Sequence, residues 1–331
     1  MAAARRSSLL GFGLLAVAVA VVAATQLGHG SVTQALATLG RVQPSWLLIA
    51  GLGFAAALLC TAAAWSAGLR AVGGSAPFTQ VAARCSIGSL VNSAAPAHLG
   101  GAVRIALLSR TLTGRDPVWR ACGVGAAIGT ARMLPLALLA AGAAIAGRIP
   151  LWPAPLLAVG MLVVLGVCVI ASERVAGRVG SLLQSFRDQL RTPRRGLDVF
   201  GWSACSLAAR LGAAVAVVAS LGIARPFPVD LVLLAAIALA GVVPLTPGNF
   251  GAGAGAATIA LHGTGVGVGV SLALGMTFQA IETAAAIMLG TAGVAVVSAP
   301  GTRLRRWSFA TVGLAAVLVA VCVGFASVDL A

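Results

Sequence analysis

Lysine is absent from this chain, and aspartate and glutamate together number only seven in 331 residues. A soluble domain of that length needs a charged surface, which 9% charged residues cannot supply. So few carboxylates leave no cluster to hold a metal ion. His-Glu-x-x-His, Gly-x-Ser-x-Gly and a Walker loop are all missing, and no loop is long enough for a soluble catalytic domain. An ATP-driven pump is therefore excluded for this chain, which reads as no enzyme, with no catalytic residue, metal or cofactor. The six cysteines, Cys60, Cys85, Cys122, Cys168, Cys205 and Cys322, form no Cys-x-x-Cys pair. They read as small hydrophobes within apolar segments.

What is present is apolar. The chain is 60% hydrophobic with a mean hydropathy of +1.03, and several runs reach the roughly 20 residues that span a bilayer core. This predicts an all-α polytopic membrane protein. Spans are expected at 9–26, 46–69, 119–146, 154–172, 198–222, 266–298 and 308–327. Arg5 and Arg6 ahead of Leu9–Ala24 resemble a signal peptide, with an Ala-x-Ala-like site near Val22-Ala23-Ala24, but further spans follow and the run reads as a retained first helix. The net charge of +15 comes entirely from arginine. Nucleic-acid binding would use such charge, but these arginines cluster in short loops between apolar runs, which is the positive-inside pattern.

Two further apolar stretches, 78–110 and 229–262, carry one phrase twice: Pro96-Ala97-His98-Leu99-Gly100 and Pro247-Gly248-Asn249-Phe250-Gly251. Proline and glycine break a helix at the centre of each. With Arg5 and Arg6 in the cytoplasm of a cell whose plasma membrane holds the chain, Arg70, Arg110, Arg115, Arg120, the 174–195 arginines and Arg303, Arg305 and Arg306 stay inside only if 78–110 enters and leaves on one side. Arg41, Arg148 and Arg225 then fall outside. Both stretches thus read as re-entrant hairpins, entered from opposite faces. The prediction is one membrane domain of about seven transmembrane helices plus two re-entrant helical hairpins in an inverted-topology repeat. The first half covers about 46–146 and the second about 198–298, followed by a terminal helix at 308–327.

Backbone that leaves a helix inside hydrocarbon is tolerated only against protein or a water-filled cavity. Past each break a new half-helix begins, and its free N–H groups form an anion site. The candidate binding residues are Asn92, Pro96, His98, Gly100 and Arg104 on the first hairpin, Thr246, Pro247, Gly248, Asn249 and Gly251 on the second, and Arg132 in a span. Ser93 lies beside them. The small residues alone also fit plain close packing of helices. Charges inside spans are costly and rarely idle. Glu282 reads as the only acidic residue deep in a span, free to pair with Arg132 or Arg210 or to carry a proton. His262 reads as interfacial. Within 173–197, Val175, Val179, Leu182, Leu183, Phe186 and Leu190 recur at helical spacing opposite Arg174, Arg178, Arg187 and Arg191. This predicts an amphipathic helix lying on the cytoplasmic leaflet.

The two phrases, in order and at this separation, resemble the signatures of the lysylphosphatidylglycerol synthase transmembrane-region family, also called flippase-like or UPF0104 proteins. The first is similar to Pro-Ala-Arg-x-Gly-Glu-x-x-Arg, and PLTPGNFGAGAGAA to Pro-x-Thr-Pro-Gly-Gly-x-Gly-x-x-Glu-Ala. The resemblance covers nearly the whole chain. It implies re-entrant helices around a lipid-accessible cavity and the lipid-handling half of enzymes that make aminoacylated phosphatidylglycerol and move it between leaflets. Four departures from the pattern change a charged position. His98 stands for arginine, while Gly101, Ala131 and Ala254 stand where the family has glutamates; Arg104 and Arg132 are kept.

The expected function is binding an anionic phospholipid or related lipid headgroup between the hairpins and passing it across leaflets. Arg104 and Arg132 would attract the phosphate, half-helix N-termini near Gly100 and Gly251 would donate N–H groups, and Glu282 would balance charge. One alternative is a secondary transporter or channel for a small anion. Another is a non-transporting partner of an envelope-lipid synthase, and a homo-oligomer is compatible with each. Lipid identity, direction and energy source of transport are open at this stage, as is the effect of the three lost acids.

Overall fold

A computed structural model of the chain describes residues 42–94, 99–145, 177–223, 226–240, 252–262 and 265–298, with Thr38 and Thr302. Among the described residues there are nine helices and no strand. They are α1 (Pro44–Ala71), α2 (Phe78–Ala94), α3 (Leu99–Ser109), α4 (Pro117–Ile145), α5 (Gly177–Leu190), α6 (Pro193–Ser220), α7 (Pro226–Ala240), α8 (Ala252–His262) and α9 (Val268–Val297). Stretches of α1, α4, α6 and α9 are long and apolar enough to cross a membrane. They match the expected spans 46–69, 119–146, 198–222 and 266–298. The other three, 9–26, 154–172 and 308–327, lie outside the described residues.

Local sequence sets these boundaries. α1, α4, α6 and α7 all open on proline, which fits the first turn because its missing N–H would find no partner there. α1 and α6 also end alike. Gly73 and Gly222 follow them with φ of 82° and 70°, the left-handed conformation glycine adopts without strain. Each glycine N–H folds back on the last turn, Gly73 to the Arg70 carbonyl and Gly222 to that of Ala219.

The helices follow one order twice: long, short, short, long in α1–α4, and again in α6–α9. Their packing repeats too. α1 on α2, α2 on α3, α3 on α4 and α1 on α4 recur as α6 on α7, α7 on α8, α8 on α9 and α6 on α9. Across the two sets, α2 on α9 is matched by α7 on α4, and α1 on α9 by α6 on α4. The central pair, α1 and α6, runs antiparallel. The Gln43 N–H before α1 donates to the Ser220 carbonyl ending α6 at 3.0 Å, and Gly53 lies against Ala213. Farther on, Thr61 meets Ser206. Small residues allow this closeness, as is usual in membranes. A Cβ on Gly53 would lie 2.9 Å from that of Ala213, and one on Gly275 would lie 2.6 Å from the Ala254 Cα.

The expected breaks of both hairpin stretches lie outside the described residues, between helices that are described. α2 stops at Ala94 and α3 starts at Leu99; α7 stops at Ala240 and α8 starts at Ala252. Pro96 and His98, and likewise Thr246, Pro247, Gly248, Asn249 and Gly251, lie outside the described residues.

The amphipathic helix forms as α5, and part of its apolar face packs on protein. Leu183 and Phe186 are buried against α4, where they cluster with Ala127. Gln189, also buried, donates from Nε2 to the Gly68 carbonyl of α1 at 3.0 Å. Apolar side chains that find protein at hand are buried there, and only the outer residues, such as Arg178 and Val179, stay exposed.

Candidate functional site

Three arginines enter the helix bundle, each from a different helix. On α3, Arg104 donates from Nη2 to the Ser89 hydroxyl of α2 at 2.9 Å. Glycine makes the approach possible. A Cβ on Gly88 would stand 2.8 Å from the Arg104 Cβ and 3.1 Å from its Nε, while one on Gly100 would collide with the Gly88 carbonyl oxygen. The two helices therefore touch backbone to backbone, and the arginine lies in the groove this opens. Its Nε is buried with no hydrogen-bond partner among the described residues, an expensive state for a charged donor.

Arg132 sits mid-way along α4, one turn before Pro135, which interrupts the helix hydrogen bonding there. Its Nη2 donates to the Thr61 hydroxyl of α1 at 2.8 Å. That hydroxyl lies 2.9 Å from the Ser206 hydroxyl of α6, and both reach the Ala57 carbonyl, at 2.9 and 2.8 Å. Arg132 is the meeting point of the charges: Arg104, Arg210, Glu282 and the Cys85 thiol all lie within its electrostatic reach.

Arg210 of α6 has a different environment. Its Nη2 lies 2.7 and 2.8 Å from the two carboxylate oxygens of Glu282 on α9. The guanidinium carbon also sits 5.7 Å above the ring of Phe278, which meets Phe54 edge-on with centroids 4.9 Å apart. Of the partners the sequence offers Glu282, the structure pairs it with Arg210.

Of the expected binding residues that are described, Arg104, Gly100 and Asn92 come together at the α2–α3 crossing, where a Gly100 Cβ would crowd Asn92; Arg132 joins them through Arg104. Sequence reading missed the hydroxyls that hold the arginines, Thr61, Ser89 and Ser206. Their only signal is a polar residue in an apolar run, which is common. It also missed Asp230 of α7, which is 0% exposed.

Long apolar helices that repeat in order and packing, with Arg104, Arg210 and Glu282 gathered about Arg132, define a polytopic α-helical membrane protein with a cationic centre. The family described as the lysylphosphatidylglycerol synthase TM region matches residues 8–290, and the chain belongs to that family. No curated protein matches it closely enough to count as a relative.

Proposed function

We propose that the chain binds the headgroup of an anionic phospholipid at Arg104 and Arg132 and carries it between leaflets. The observation that supports this most is the charge count at the centre. Glu282 is taken by Arg210, so among the described residues Arg104 and Arg132 are held only by neutral hydroxyls, and the Arg104 Nε by nothing. Two uncompensated guanidinium groups inside a membrane cost several kcal/mol each, and a bound phosphate removes that cost. Guanidinium is also the group that pairs best with phosphate oxygens.

A lipid rather than a soluble anion is favoured by the surroundings of Arg104. On its helix Leu99 is 50% exposed, and Gly101, Ala102 and Ala106 are exposed as well, so an apolar face is turned outward beside the arginine. A headgroup reaches the site from the side while its chains stay in hydrocarbon.

The repeated helix order supports an inverted-topology repeat. Thr61 stands as far from Pro44 at the start of α1 as Arg210 does from Pro193 at the start of α6, and Arg132 and Glu282 match to within a residue on α4 and α9. The two counterpart helices, α1 and α6, run in opposite directions. Hairpins α2–α3 and α7–α8 then re-enter from opposite faces, with the N-terminus cytoplasmic and the chain in the plasma membrane. Such repeats place broken helices at the midplane and let one half rock against the other.

The test is translocation of fluorescent phosphatidylglycerol in vesicles containing the purified chain. Protein-dependent movement that is lost in Arg104→Met/Arg132→Met and absent for a choline lipid is expected. Equal movement of both lipids in both proteins, or flux of free phosphate instead, would overturn the reading.

A further inference from the structure

The second hairpin holds a carboxylate that nothing above uses. Asp230 stands about one turn inside α7, within PFPVDLVLLAA, is 0% exposed, and has both carboxylate oxygens buried with no hydrogen-bond partner among the described residues. The residues that follow it, Val232, Leu233 and Leu234, belong to the largest apolar cluster of the protein's described residues. An ionised carboxylate without a donor costs several kcal/mol in such a place, whereas the neutral acid costs far less.

Among the described residues no opposite charge relieves it. α7 packs on α4, α6 and α8. Arg132 is the last charged residue of α4, Arg210 the last of α6, and His262 the one titratable group of α8. The first two are engaged with Thr61 and Glu282, and His262 is exposed. None of the three weighs on the aspartate, on which only burial acts. A metal ion finds too few ligands, since no group of three His, Cys, Asp or Glu occurs among the described residues.

We infer that Asp230 is a proton-binding site. It is a carboxylic acid in this conformation, and it releases its proton to water when α7 moves and the side chain becomes wet. Glu282, whose charge Arg210 already balances, is not the carrier. Asp230 supplies the group that couples a proton to the lipid movement proposed above, and in that respect alone the inference rests on that reading.

The experiment needs no lipid substrate. Infrared spectra of the intact chain in vesicles at neutral pH should contain the C=O stretch of a protonated carboxylic acid, lost in Asp230→Asn. Dicyclohexylcarbodiimide, an apolar reagent that attacks neutral acids out of water, should modify the peptide bearing Asp230 and spare the one bearing Glu282. Asp230→Asn keeps the shape and the neutrality, so its thermal midpoint should equal that of the parent. A spectrum unchanged by Asp230→Asn, no adduct on Asp230, or a lowered midpoint in that variant would each overturn the proposal. Failure of lipid translocation with these signals intact would overturn only the coupling.

Discussion

Arg210 and Arg132 occupy opposite halves of the same design and have opposite fates. Both stand mid-way along apolar helices, and each meets a side chain of its own half, Arg132 on α4 with Thr61 on α1 and Arg210 on α6 with Glu282 on α9. Arg210 meets Glu282, with contacts of 2.7 and 2.8 Å and a phenylalanine ring beneath it. Arg132 meets Thr61, a hydroxyl that can accept a bond but cannot balance a charge. The Arg210–Glu282 pair is balanced in charge, while Arg132–Thr61 is not. That difference is what supports the proposal of an anionic ligand, since charges at depth are rarely idle.

The comparison breaks most visibly at the complete pair. Glu282→Gln leaves Arg210 without a counter-charge and should cost about 2–3 kcal/mol, less than the 3–5 of fully buried pairs because both side chains are about one-third exposed. Thermal unfolding in detergent measures it, and Arg210→Met/Glu282→Met should recover most of the loss.

A smaller effect is expected at the helix crossing that forms the groove for Arg104. Gly100→Ala drives a methyl group into the Gly88 carbonyl and should cost about 1–3 kcal/mol, whereas Gly101→Ala, next in sequence and facing open space, should be near neutral. The same unfolding measurement separates them.

Smaller still is the predicted cost at the incomplete site. Arg132→Met should change stability by under about 1 kcal/mol in either direction, because removing an unbalanced charge offsets the lost hydrogen bond. Its effect belongs to anion retention instead. Gly101→Glu, which restores an acid that the family carries, sits three residues before Arg104 on α3. At that helical spacing the pair gains a few tenths of a kcal/mol, and the new carboxylate should compete with the lipid, seen as weaker retention of phosphatidylglycerol.

Much of this was legible beforehand. Hydropathy located α1, α4, α6 and α9 because a spanning helix must be apolar along its whole length. The doubled proline–glycine phrase falls between α2 and α3 and between α7 and α8, in stretches outside the described residues. Arginine positions pointed to Arg104 and Arg132 for the reason that charges at depth are rare. Pairing was not legible: Glu282 had two arginines to choose from, and only the antiparallel seating of α1 against α6 brings Arg132 to Thr61 and leaves Arg210 to Glu282. Periodicity found α5 but could not tell lipid from protein as the partner of Leu183 and Phe186, since both are apolar. Asp230 escaped notice because a lone acid near the start of an apolar run reads as an interfacial residue until its burial is known.

The measurement that bears most directly on the central claim is native mass spectrometry of the chain purified with its lipids, beside Arg104→Ala/Arg132→Ala and Arg210→Met/Glu282→Met. The account predicts a defined anionic phospholipid on the parent and on the second variant, and none on the first. The same unselective lipids on all three proteins, or loss in the second variant alone, would contradict it.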